Sequence, residues 1–376
     1  SLEFTKTTTV DKNTTSQGDT LAMINQSNQF SDRSFVADAA DQTYEVGSNL
    51  GQTAAGTLTV SGTSNNAIDF NGYKGFEVGS GSSVNLEQVT LENSGNGTTY
   101  AEVGVGGSLG LSDVVVNGSG NAIANEGELN VLGGTNTINS VVSGTGTTNV
   151  DGGDLALNAD LTQGSLNVLD GALTVANGVV LNTALTVGAD GSANLYGDSL
   201  TSGTTNAGTL TLMGGTLGQT ISGTGVTSVN GNVYNSGVID QAVVVTGGKL
   251  TSNTSGLLGG VTNNAELLLS GALDKTIGGV GTTYVDGSLT MMSGAAVTGV
   301  LDVNAGVLGM LDSAANGYTV EGAKTVTNDE NSNVVSTDEK DYNIISPLLG
   351  DFNVYNLACA ILICIAYGKS IEDIIP

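Results

Sequence analysis

The chain has 376 residues and a formal net charge of −27, with nine basic residues, no histidine and no tryptophan. Such an excess of negative charge repels phosphate backbones and anionic lipid, which argues against nucleic-acid binding. Without histidine there is no base for a Ser-His-Asp triad and no zinc set of the usual kind.

Glycine is abundant at 57 residues, proline nearly absent at 2, and aromatic residues make up only 4%. A core built from Val, Leu, Ile and Ala suits thin repeated layers better than one bulky centre. The hydrophobic content of 39% is spread along the chain, which supplies apolar area to every stretch and argues against disorder. The chain opens at Ser1 without a basic-then-apolar leader, as expected of a mature or excised segment.

Residues 1–50 carry more bulk than the repeats after them, with Met23, Phe30, Phe35 and Tyr44. A stacked fold needs its open end covered, and this segment is expected to be an N-terminal cap. Residues 51–330 are internally repetitive. SSVNLEQVTLENSGNG (82–97) matches GSLGLSDVVVNGSGNA (107–122) at an offset of 25, which carries Val84, Leu86, Val89 and Leu91 onto Leu109, Leu111, Val114 and Val116. A further step of 20 carries Leu109 and Leu111 onto Leu129 and Val131. Apolar residues two apart recur at Leu155/Leu157, Leu166/Val168, Leu173/Val175, Leu185/Val187, Leu210/Leu212 and Leu267/Leu269, the mark of a short strand with one buried face. A longer repeat pairs an Asn-led strand with a glycine turn: GTGTTNVDG from Gly144, GTGVTSVNG from Gly223 and GVGTTYVDG from Gly279 align without gaps. Coils of roughly 20–25 residues, stacked about 4.8 Å apart, would bury these strands in a continuous column. The expected class is therefore all-β: a parallel β-helix, or β-solenoid, followed by a short C-terminal α-helix.

Residues 331–343 read as a charged linker and 344–376 as a helical tail. The apolar run from Asn356 to Tyr367 stops at Gly368 and is too short for a bilayer, which needs about 20 residues. Cys359 and Cys364 both lie in this tail, so the body has no disulfide framework.

FEVGSGSSVNLEQVTLENSGNG and GTLTLMGGTLGQTISGTGVTSVNGNVYNSGVIDQAVVVTGGKL resemble autotransporter-type passenger repeats of Gram-negative bacteria, over about residues 60–325. The resemblance implies a right-handed parallel β-helix, secretion to the cell surface, and a role in adhesion or as a display stalk. LLGDFNVYNLACAILICIAYGKSIEDI resembles the segment closing the central ATP-binding domain of Mur ligases, with Gly350, Phe352, Asn353, Tyr355, Asn356 and Ala360 as the matching core. That resemblance implies that Asn353 and Asn356 lie by a nucleotide's adenine, as cofactor-binding residues of a functional tail. The chain has no GxxGKT-type phosphate loop, so a ligase fragment joined to the repeats would be catalytically incomplete.

Carbohydrate cleavage needs only two carboxylates, which a solenoid would place on adjacent coils. Glu87 steps onto Ser112 and Glu92 onto Asn117, while Asp151, Asn230 and Asp286 each precede a turn glycine. The calcium-binding nonapeptide pattern is not met, although Asp190 and Asp198 lie in glycine turns of VGADGSANLYGDS (187–199). The resulting expectation is a non-enzymatic, structural or adhesive surface protein without cofactor or metal. Its partner would be a host or cell-surface receptor or glycan, and self-association end to end or side by side is a further expectation. The rivals are a polysaccharide-acting β-helix enzyme and the Mur ligase fragment.

Overall fold

The computed structural model describes residues 14–37, 39–95, 99–118 and 120–310, with short strands at 320–321, 325–328 and 333–336. The expected C-terminal helix, and Asn353 and Asn356 with it, lie outside the described residues. The described α-helix is at the other end, α1 (Thr14–Gln26). Everything else is dominated by strands in stacked, parallel coils: the fold is a β-solenoid. Two compact units divide between Thr227 and Ser228.

In the first unit each coil has three strand faces, carried by separate short strands or by long ones that run round the corners, such as Leu161–Val175 and Leu181–Leu195, and each face pairs with its counterpart one coil on. Ala101–Val103, Ser108–Ser112 and Val115–Val116 form one coil, and Asn121–Asn125, Glu128–Gly133 and Thr135–Ile138 the next. The pairings are in register: Ile123 opposes Ala101, Leu129 opposes Leu109 and Ile138 opposes Val116. The offsets read from sequence hold, since Val84 faces Leu109, Leu86 faces Leu111, and Leu91 faces Val116. Period-two alternation then decides burial. The middle strands build two interior columns, one including Leu58, Val84, Leu109, Leu129, Leu166 and Leu185, the other Val60, Leu86, Leu111, Val131, Val150, Val168 and Val187. All are buried. At about 25 cal/mol per Å² of apolar surface, each such side chain gains about 1.5–3 kcal/mol on burial.

Coil length changes along this unit. One coil carries the chain from Asp32 to Thr57, and the next from Thr57 to Ser83. Further on, a single coil reaches only from Glu128 to Thr147, and from Thr204 to Ile221. These two coils fall below the expected length because their corners are short, while the coil from Leu161 to Leu181 stays at its lower bound. Only Glu126 and Gly127 separate Asn121–Asn125 from Glu128–Gly133.

Against the first coil, the Asn25 side chain of α1 donates to the carbonyls of Leu50 (3.1 Å) and Gly51 (3.0 Å), and Gln26 donates to Leu50 (2.8 Å). Arg33, the chain's one arginine, is buried beside it. Its guanidinium donates to the carbonyls of Ser27, Phe30, Ala54 and Ala55. Burial pulls its pKa below the ordinary value, against the opposing pull of Asp32.

In the second unit Val233–Asn235, Lys249–Asn253, Glu266–Leu273, Thr282–Met291 and Val300–Met310 stack as one parallel ladder. Val238–Gly247, Val261–Asn263, Thr276–Gly278 and Ala296–Val297 form another. Thr325–Asn328 pairs antiparallel with Asn333–Ser336, unlike the parallel coils before it.

Candidate functional sites

The interior columns use their side chains on one another, so any chemistry facing a partner is on the outward ranks and at the corners. Three features stand out there among the described residues: buried asparagines, ranks of carboxylates, and a polar pocket.

The Asn-led repeats mark a corner device. Asn125 is fully buried where a strand turns. Its Oδ1 accepts from the N–H of Gly127 (3.1 Å), and its Nδ2 donates to the carbonyl of Thr147 one coil on (3.0 Å) and to Gln163 Oε1 (2.6 Å). In the same unit Asn206 Nδ2 donates to the carbonyl of Val226 (3.1 Å). In the second unit Asn263 accepts from Ala265 N–H (3.1 Å) and donates to the Thr282 carbonyl (2.9 Å). The turn glycines complete it. Gly144 has φ 118°, and a Cβ there would overlap the carbonyl oxygen of Asn125; Gly223, with φ 124°, stands in the same relation to Asn206. The long repeat in the sequence is thus a repeat of corners, with a structural task.

Carboxylates do stack, in pairings other than those compared in sequence. Glu77 faces Glu102 on the next coil, Glu45 faces Asp69, which faces Glu92, and Asp151 faces Asp170, which faces Asp190. Glu92 therefore has an acidic neighbour behind it, while ahead lies Asn117. Lys74 Nζ is 3.1 Å from Glu102. Asp69 is the buried member. Burial raises its pKa, but hydrogen bonds from Ser94, side chain and backbone, and from the Asn71 N–H outweigh it, so the net shift is downward. A general acid for glycoside cleavage needs the opposite shift. Asp69 stays ionised and fastens a turn, with Asn71 N–H and Ser94 N–H both 2.8 Å from Oδ1. Glu87 accepts from Ser61 Oγ at 2.8 Å. Among the described residues, no group of three or more His, Cys, Asp or Glu side chains converges as a metal site would require. Asp190 lies on the strand Leu181–Leu195, and Asp198 in the 3₁₀ turn Gly197–Ser199.

Beside Asp69 lies a buried aromatic cluster: Phe70 stacks on Tyr100 (4.7 Å between centroids, 10° between planes) and meets Phe76 edge-on at 6.3 Å. Tyr100 donates to the carbonyl of Asn117 at 2.5 Å. Burial, then the charges of Asp69 and Glu92, push its phenol up to about 12. Stacked on Phe70 and neutral, it is a packing residue.

The pocket lies in the second unit, a cavity of about 450 Å³ at the corner carrying the 3₁₀ turn Thr254–Gly256. Tyr234, Ser236, Thr251, Asn253, Ser255 and Ser270 supply its polar wall, and Leu268 adds an apolar edge. Its floor is rigid. Asn235 Nδ2 donates to Ser252 Oγ and to the Gly256 carbonyl (both 3.0 Å), and Asn253 Oδ1 accepts from the backbone and hydroxyl of Ser255 (3.0 and 2.8 Å).

No family model, curated protein or solved structure matches the chain. Among the described residues no helix is long and apolar enough to cross a membrane. The sites therefore stand on their own geometry. Sequence reasoning does not find the pocket, because Tyr234, Thr251 and Leu268 come from three different coils, brought together only by the parallel register.

Proposed function

We propose that the chain is a structural and adhesive segment of a Gram-negative cell-surface or secreted protein, presenting its outward ranks to a receptor or glycan and catalysing nothing. The observation that carries this reading is the division of labour in each coil: the aliphatic columns and buried asparagines hold the stack together, and the outward ranks carry small hydroxyls, amides and carboxylates. Strong negative charge keeps such an exposed surface soluble. The helix α1 and Arg33 serve in this reading to protect the first coil from pairing with other chains. The test is adhesion: beads coated with the purified chain are expected to bind epithelial or bacterial cells saturably, above beads coated with a neutral carrier protein. Equal binding by both beads sinks the adhesive reading.

A polysaccharide-acting enzyme is the second reading, favoured by the facing carboxylates Glu77 and Glu102. It requires new reducing ends to appear from a polysaccharide panel and to disappear in Glu77→Gln. No release by the parent chain removes it.

A further inference from the structure

The pocket at Tyr234 has a composition that selects a class of ligand, and this inference rests on the adhesive reading while naming its chemistry. In a chain with 36 acidic residues, none of the pocket's lining residues is charged. A cation would find no carboxylate there and an anion no ammonium or guanidinium. The wall offers the hydroxyls of Thr251 and Ser270, which donate and accept alike, while Ser255 Oγ, its proton given to Asn253 Oδ1, keeps its acceptor side and Asn253 the N–H donors of its amide. A lipid or apolar peptide anchor would cover the Thr251 and Ser270 hydroxyls without bonding them, which is costly. The one large exposed ring of the wall is Tyr234, which is 55% exposed. Such a ring offers an apolar face and a polar tip to a ligand of the same mixed character.

Neighbouring residues explain why Tyr234 is the open ring. The outward rank of this ladder runs Tyr234, Thr251, Leu268, Tyr284, each opposite the next. The face of Tyr284 is already occupied: Lys249 Nζ lies 5.4 Å from its centroid and is held 3.2 Å from Glu266. Lys249 and Glu266 thereby neutralise one another beside the pocket instead of charging it. The hydrogen bonds from Asn235 and within Asn253–Ser255 fix the floor, so a ligand meets a preformed site with little ordering to do.

We infer that this pocket binds a neutral saccharide, one sugar face lying on Tyr234 and its hydroxyls meeting the Ser, Thr and Asn wall. A ligand with apolar C–H faces and hydroxyl edges satisfies both halves of the site at once.

The test uses the full chain and three probes, triacetylchitotriose, maltotriose and trigalacturonate, followed by saturation-transfer NMR and calorimetric titration. At least one neutral trisaccharide is expected to bind, with trigalacturonate weaker. Tyr234→Ala is expected to lower affinity by about tenfold or more, while Tyr234→Phe keeps most of it. Tyr73→Ala, on an exposed tyrosine of the other unit, is expected to leave binding unchanged. Circular dichroism checks that each variant folds. The inference is overturned by no binding of either neutral probe, by tighter binding of trigalacturonate, or by Tyr234→Ala binding as the parent does. Adhesion by coated beads without saccharide binding defeats this inference alone; saccharide binding without adhesion defeats the adhesive reading and leaves the pocket standing.

Discussion

Within the first unit, the coils before Asn117 and those after Asn121 solve one problem in two ways. The early coils are long, as from Asp32 to Thr57 or Thr57 to Ser83, and fill part of their interior with rings. Phe35 meets Tyr44 at 5.6 Å, and Phe70 lies between Phe76 and Tyr100. The later coils are short, as from Glu128 to Thr147 or Thr204 to Ile221. Their columns are mostly aliphatic, with Thr148 and Thr204 among them, and they turn their corners with buried asparagines such as Asn125 and Asn206, as Asn66 does at one early corner. A wide coil needs volume, which aromatic rings supply. A narrow coil needs tight corners, whose backbone groups must be bonded from inside. The difference teaches that the stack tolerates two cross-sections as long as the strand register is kept.

The largest expected effect tests the wide coils. Phe70→Ala removes the middle ring of the cluster, with an expected loss of about 3–5 kcal/mol in denaturant unfolding. A loss below about 1 kcal/mol would mean that the rings do not carry these coils. The matching test of the narrow coils is Asn125→Ala, which leaves Gly127 N–H and the Thr147 carbonyl without their side-chain partner. The expected cost is about 1–3 kcal/mol, and amide exchange should accelerate at Gly127 first.

The wide coils should also feel alkali in a way the narrow ones do not. The folded-state pKa of Tyr100 is raised to about 12, above its unfolded value near 10. Its contribution is thus fully present below about pH 10 and is lost as pH rises through about 12. Amides around Tyr100 are expected to lose protection in that window, and Tyr100→Phe should remove the pH dependence; an unchanged profile in the variant would place its cause elsewhere. A smaller effect has the opposite sign. Thr204 sits in an interior column between Leu185 and Ile221, and its Oγ1 is buried without a hydrogen-bond partner. Thr204→Val is expected to stabilise the chain by about 1 kcal/mol, read as a higher denaturation midpoint. The smallest change is expected on the outside. Asn130, Asn149 and Asn167 form a surface ladder, with amide bonds of 2.9 and 3.0 Å. Water can replace these partners, so Asn149→Ala should cost only about 0.5 kcal/mol. A cost matching that of Asn125→Ala would erase the distinction between corner and surface asparagines.

The columns are legible in the sequence because burial alternates with period two and neighbouring coils repeat it, so that Val84, Leu109 and Leu129 fall onto one another directly. The carboxylate ranks are not. The clearest repeats, beginning at Gly144, Gly223 and Gly279, lie several coils apart, so aligning them compares Asp151 with Asn230 and Asp286 rather than with Asp170, its neighbour in space. Similar corners recur at a distance, whereas adjacent coils need share only their buried alternation. Arg33 is hidden for a related reason. Its four carbonyl partners come from loops at 27–30 and 54–55, and no pattern of residue types announces a carbonyl.

The parallel register also bears on how such a chain changes over generations. Thr147 and Ser165 occupy equivalent places on successive coils, and so do Thr148 and Leu166, and Val150 and Val168. A genetic deletion or duplication bounded by two such places removes or adds a whole coil and leaves every remaining strand with a partner of its own kind. An odd-sized indel inside a strand shifts the alternation and turns a column of leucines outward, whereas corners absorb changes of length, as coils of different length in one stack show. Length in this architecture is therefore inherited in steps of about one coil, free to drift in number while the alternation inside each strand is held fixed.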